Sequence, residues 1–194
     1  LVWQDSELEW PLLLSYFTQL RSLAISSDTV PYAMPVERLS LAMLPRSLAK
    51  LELNISNADA LLSRGPAGSG YVPFESLFPN LTDLHIGRLR CLSMELVKAL
   101  PQHLRFFGWE AKAIDPVGHA ALLRLLPPSL EGLEGVCTQS AVVSGSDLPE
   151  TLQKYACVLT LRSDSILPAS LTHLSGGSGR PLSVKPDPNN RFAA

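Results

Sequence analysis

Four histidines and three cysteines are the residues best suited to metal binding or nucleophilic chemistry, and their spacing supports neither. His85, His103, His119 and His173 form no H-x-x-x-H or H-E-x-x-H pair, the spacing that sets two imidazoles on one helix face around a metal. Cys91, Cys137 and Cys157 are an odd set without a C-x-x-C step. That argues against a zinc site and a disulfide framework, and it reads as free thiols in a reducing compartment. Gly65, Gly68 and Gly70 are spaced somewhat like a phosphate loop, whose bare N–H groups cradle anions. No Lys-Ser/Thr pair follows them and no strand–loop–helix unit surrounds them, so the run from Arg64 to Tyr71 reads as an inserted solvent loop. Ser178 lacks the second glycine of a nucleophile elbow, because Arg180 stands where that glycine is required. Asn54-Ile55-Ser56 and Asn80-Leu81-Thr82 match the glycosylation sequon and make Asn54 and Asn80 candidate acceptors. Chance supplies about one such match in a chain like this, so the pair decides little.

The elements that would have to position any such chemistry are announced by composition. The chain has 194 residues with 16 Lys+Arg against 18 Asp+Glu, a net charge of −2. With 46% hydrophobic and 18% charged residues it can bury a core, unlike a disordered tail. A balanced charge without a basic run argues against binding nucleic acid or an anionic membrane surface. No apolar stretch approaches the ~18 residues of a spanning helix, so no membrane span is expected. Pro11-Leu12-Leu13-Leu14 is too short for a signal-peptide core, and Glu7 and Glu9 stand where basic residues would be needed. An intracellular location is the simpler expectation, although a chain opening on Leu1 leaves localisation open.

Leucine accounts for 37 of the 194 residues, and it recurs inside a repeated phrase. Leu44-Pro45-Arg46-Ser47-Leu48-Ala49-Lys50-Leu51-Glu52-Leu53 returns from Phe78, Leu100, Leu126, Leu148 and Leu167, and in a Pro-less form from Phe17. The first Leu of each copy falls at 20, 48, 81, 104, 130, 152 and 171. Alternation within a copy puts the first, fourth and sixth positions on one side and the polar or small ones on the other. One copy cannot bury such a face, but neighbouring copies stacked side by side share a continuous core. The Pro ahead of each strand suits a place where no N–H is needed.

These residues resemble leucine-rich repeats, in particular the irregular LP-x-S-L-x-x-L forms of protist and bacterial-effector proteins, over positions 17 to 176. The resemblance implies an α/β fold: an open, curved solenoid with a parallel sheet of about seven short strands. Irregular helices, 3-10 turns and loops would lie on the convex side. The Asn or Cys that follows the strand in that family is not regular here, with Ser56, Leu89 and Thr138 in its place. The sixth position is degraded to Gly135 and Gly176 in two copies. Residues 1–176 are therefore expected to form the solenoid and 177–194 a Gly/Pro-rich tail. Ser93 to Leu100, with Ser93 as cap, and Asp115-Pro116 followed by Val117 to Leu126 read as helices. The last two linkers are too short for more than a turn or a single 3-10 element.

With the frame in place, no Ser/His/Asp or Cys/His set falls together, so the chain is not expected to be an enzyme and needs no cofactor or metal. What remains is the concave face. Its columns bring Lys50, Asp83, Phe106, Lys154 and His173 into one row, Glu52 and His85 into the next, and Arg105 beside Phe106. Lys50 and Asp83 are placed for a cross-strand ion pair. Interfaces favour Arg and aromatic anchors, which singles out Arg105 and Phe106, unless Phe106 turns inward. The expected role is a non-catalytic protein-binding module or a structural subunit, with another protein as partner. A ligand-recognition ectodomain and the recognition segment of a larger effector enzyme are the alternatives.

Overall fold

The computed structural model describes residues 2–3, 16–26, 41–55, 58–62, 71, 74–114, 119–137, 142–157, 160–161 and 166–176. The Gly-rich run 64–70, the Asp115-Pro116 helix start and the 177–194 tail lie outside them.

Each copy of the phrase begins with a turn. The N–H of the first Leu (20, 48, 81, 104, 130, 152, 171) donates to the carbonyl three residues back, at Phe17, Pro45, Phe78, Pro101, Pro127, Pro149 and Pro168. Five of these acceptors are prolines, each sitting five residues before its strand at the start of the turn, where only its carbonyl is used, while in the third copy Phe78 takes that place and Pro79 follows it. Two residues after each Leu a strand starts: β2 (Ser22–Ser26), β3 (Lys50–Asn54), β4 (Asp83–Leu92), β5 (Phe106–Ile114), β6 (Gly132–Cys137), β8 (Lys154–Cys157) and β10 (His173–Gly176). With β1 (Val2–Trp3) they form an eight-stranded sheet in the order β1-β2-β3-β4-β5-β6-β8-β10. Every neighbouring pair is parallel. The repeated phrase therefore accounts for seven strands, and β1 adds an eighth that no copy announces.

The copies are tied together by the same bonds each time. The carbonyls of Arg21, Ala49, Thr82, Arg105, Glu131 and Gln153 each accept two N–H groups from the next copy, at 2.8–3.0 Å. The Ser or Thr just before the Leu adds a side-chain rung. Ser129 reaches the Gln102 and Leu104 carbonyls at 2.7 and 2.8 Å, and Thr151 reaches those of Pro128 and Leu130 at the same distances. Ser170 and Ser47 repeat the contact. His103 stands at that place in the fourth copy, and its Nε2 is buried without a hydrogen-bond partner among the described residues.

The inner face is a row of Leu23, Leu51, Leu84, Phe107, Leu133 and Tyr155, all buried, followed by Ile25, Leu53, Ile86, Trp109, Gly135 and Cys157. Gly135 is not a degraded position. Trp109, directly opposite it on β5, lies where a Cβ on Gly135 would be. The indole is only 2% exposed and stacks on Phe107 with centroids 5.5 Å apart and planes 27° apart. A large side chain in one copy thus occupies the room left by glycine in the next. Cys157 is free and buried, and burial pushes its thiol up from the ordinary value.

Connections cover the other side of this core. Helix Met94–Lys98 is capped by Ser93, whose side chain accepts the Leu96 N–H at 3.2 Å, with Glu95 in the first turn and Lys98 in the last. Helix His119–Arg124 lies within the stretch from Val117 to Leu126 and stops at Arg124, and Ala58–Leu62 and Phe74–Leu77 are further short helices. The fifth linker holds a 3-10 turn, Gly145–Asp147, whose buried Asp147 carboxylate takes both Nε and Nη2 of Arg124 at 2.8 Å. The last two linkers carry more than turns: β7 (Val142–Val143) and β9 (Thr160–Leu161) form a second, two-stranded parallel sheet. Strands β4 and β5 also run longer than the repeat requires. A bulge between Ile86 and Leu89, with Arg88 at φ 58°, resets their register so that Leu89, Cys91 and Leu92 pair on with Ala111, Ala113 and Ile114.

Candidate functional site

The register places Lys50, Asp83, Phe106, Gly132, Lys154 and His173 side by side in one row of the sheet's solvent face. Two residues on, Glu52, His85 and Gly108 lie in the next row. Every partner-contact residue singled out in the sequence is therefore on one face. Its members are not equally close. A shallow open concavity of about 440 Å³ gathers Asp83, Arg105, Phe106, Lys154 and His173, and leaves Lys50, Glu52 and His85 outside.

Phe106 is held on the solvent side by its neighbour. Its ring lies over Gly132, where a Cβ would come within 2.6 Å of Cδ2, and it is half-buried. It does not turn into the core, whose place beside it is filled by Phe107. His85 leans over Gly108 in the same manner.

Arg105 is committed to a partner within the protein. Its Nε and Nη2 reach the two carboxylate oxygens of Glu131 on the next copy at 2.8 and 2.7 Å. The bidentate geometry fixes both side chains although Arg105 is 61% exposed. Hydrogen bonding from Arg105 holds the Glu131 carboxyl below its ordinary value, and the same bond raises the guanidinium. An NMR titration of the Glu131 side chain is accordingly expected to give a pKa below 4.5, returning toward that value in Arg105→Gln. With a depressed folded pKa, the pair's contribution is present above the unfolded pKa and fades as pH falls through the folded one. A Glu131 that titrates normally would mean the pair is broken in solution.

Lys50 and Asp83 are register partners but form no ion pair within 4.0 Å among the described residues. Asp83 Oδ2 accepts instead from the Thr82 hydroxyl at 2.7 Å. Glu131, Gln153 and Thr172 also line the concavity. The sequence puts them in Arg105's own column, and reading that column pairwise would have found the Arg105–Glu131 bond. Thr172 donates to the Gln153 carbonyl at 3.1 Å and lies 3.0 Å from His173 Nδ1. That hydroxyl is exposed and already committed, so it is no activated nucleophile.

Among the described residues no three His, Cys, Asp or Glu side chains gather as a metal ligand set. Nor is any described helix long and apolar enough to cross a membrane. Of the two sequons, Asn80 is exposed in the turn before β4, whereas Asn54 has a buried Oδ1 lying over Gly87. No family model, no curated protein and no solved structure matches this chain.

Proposed function

We propose that the chain is a divergent leucine-rich-repeat-like solenoid that serves as a non-catalytic protein-binding module, or as a subunit built into a larger assembly. Sequential strand order, a constant register from copy to copy and the recurring hydroxyl rungs support the solenoid. One observation carries the binding role: a half-buried aromatic ring lying over Gly132 on the solvent side, beside a bidentate Arg–Glu pair, in the middle of a polar sheet face. An aromatic side chain offers a large contact area with only two torsions to order, which is why aromatic anchors dominate interface energetics. Balanced charge favours protein over nucleic acid as partner. The exposed Asn80 sequon favours a second reading, recognition by a secreted or surface protein.

Affinity capture from the native extract tests the proposal. A stoichiometric partner retained by the wild type and by Lys98→Glu, on the far side of the core, is expected to be lost from Arg105→Glu/Phe106→Ala. A partner held equally by all three would move the contact off this face.

A further inference from the structure

From β4 to β10 the concavity presents a carboxylate, a ring, a gap and a cation in that order. Asp83 stands at one end and Phe106 next to it. The ring leans over Gly132, which contributes no side chain, and Lys154 follows on β8 with His173 beyond it. Of the two cations here, Arg105 is engaged by Glu131 through Nε and Nη2, which sets a carboxylate against its charge. Lys154 is exposed, and among the described residues no carboxylate oxygen lies within 4.0 Å of it. The surface therefore offers an apolar shelf with an unneutralised positive charge at a fixed offset.

That offset selects a ligand geometry. Strands lie about 4.8 Å apart, so Phe106 and Lys154, two strands apart, are separated by roughly 10 Å at the backbone. The ring's lean toward β6 shortens the distance between the groups. Side chains two residues apart in an extended peptide emerge on one side about 7 Å apart. We propose that this concavity binds an extended segment of a partner protein that carries an apolar or aromatic residue and, two positions away, an Asp or Glu. The apolar side chain rests on Phe106 and the carboxylate meets Lys154, with the His173 imidazole alongside. Asp83 at the far end repels a second carboxylate and so sets the direction of the peptide. This assignment rests on the binding role proposed above and specifies its ligand.

The test is an NMR titration of the full ¹⁵N-labelled chain at millimolar peptide. Acetyl-Gly-Trp-Gly-Glu-Gly-amide is compared with the same peptide bearing Lys for Glu and with one bearing Ala for Trp. Shifts at Phe106, Gly132, Lys154 and His173 are expected with the first peptide, and at least about tenfold weaker binding with the other two. Lys154→Glu should invert the preference toward the Lys peptide. No shifts, or equal binding of the Glu and Lys peptides, would overturn the proposal. So would indole-3-propionate binding as tightly as the peptide, which would make the occupant a small aromatic acid. If native-extract capture depends on Phe106 but survives Lys154→Glu, the binding role stands and the carboxylate assignment falls. Capture indifferent to both substitutions removes both.

Discussion

Leu84→Asp is expected to abolish the cooperative thermal transition, while His85→Ala, the next residue along the same strand, leaves it nearly unmoved. Leu84 is fully buried, with Leu51 on one side and Phe107 on the other in the inner row. A carboxylate there has no hydrogen-bond partner and no water, the kind of change that costs more than about 4 kcal/mol. Against a total stability of roughly 5–15 kcal/mol, that loss unfolds the neighbouring copies. His85 points to solvent and leans over Gly108, so its removal costs less than about 0.5 kcal/mol. Circular-dichroism melts of the two variants check this directly. Equal losses would mean that the inside–outside alternation is misassigned.

The second large effect concerns Gly135. A side chain at this position must displace the Trp109 ring, which is buried and stacked on Phe107 and so cannot move aside. Gly135→Val is expected to cost about 3 kcal/mol through overpacking. Trp109→Leu alone removes indole volume from the core and is expected to cost a further 3 kcal/mol or so through the cavity it leaves. Combined, the two substitutions exchange a large–small pair for two middle-sized residues, and about 2 kcal/mol of the summed loss should return as coupling. Gly132→Ala is the instructive contrast. It also meets an aromatic ring, but Phe106 is only half-buried on the solvent side and can swing outward, so the cost stays below about 1 kcal/mol. Denaturant melts of the single and double variants measure the cycle, and strict additivity would show that Trp109 and Gly135 do not share one space.

The parts of this architecture that repeat were legible in the sequence, and the parts that depend on two different copies were not. The first Leu of each copy places seven strand starts and, through them, the register that aligns Ser22, Lys50, Asp83, Phe106, Gly132, Lys154 and His173. Local chemistry was equally clear at Ser93, where the cap residue and the acidic first turn mark a helix. Strand β1 escaped notice because Val2–Trp3 belongs to no copy of the phrase, and two-residue strands such as β7 and β9 have too little pattern to show. Gly135 looked like decay because a glycine is judged within its own copy, while its explanation, Trp109, sits in the preceding one. The Arg105–Glu131 bond is hidden for the same reason: each residue is unremarkable until the register makes them neighbours. Phe106 could not be assigned inward or outward from alternation alone, since Phe107 competes for the core, and the vacancy over Gly132 is what decides it.

The most direct test of a binding role for this sheet face is site-specific photo-crosslinking in the cells that express the protein. The photoreactive phenylalanine analogue p-benzoyl-phenylalanine replaces Phe106 in one variant and Lys98, exposed on the helix beyond the core, in another. A discrete adduct with a single protein from position 106, and none from position 98, is the expected result. An adduct from position 98 with none from position 106 would contradict it, and would place the contact on the helical side of the molecule.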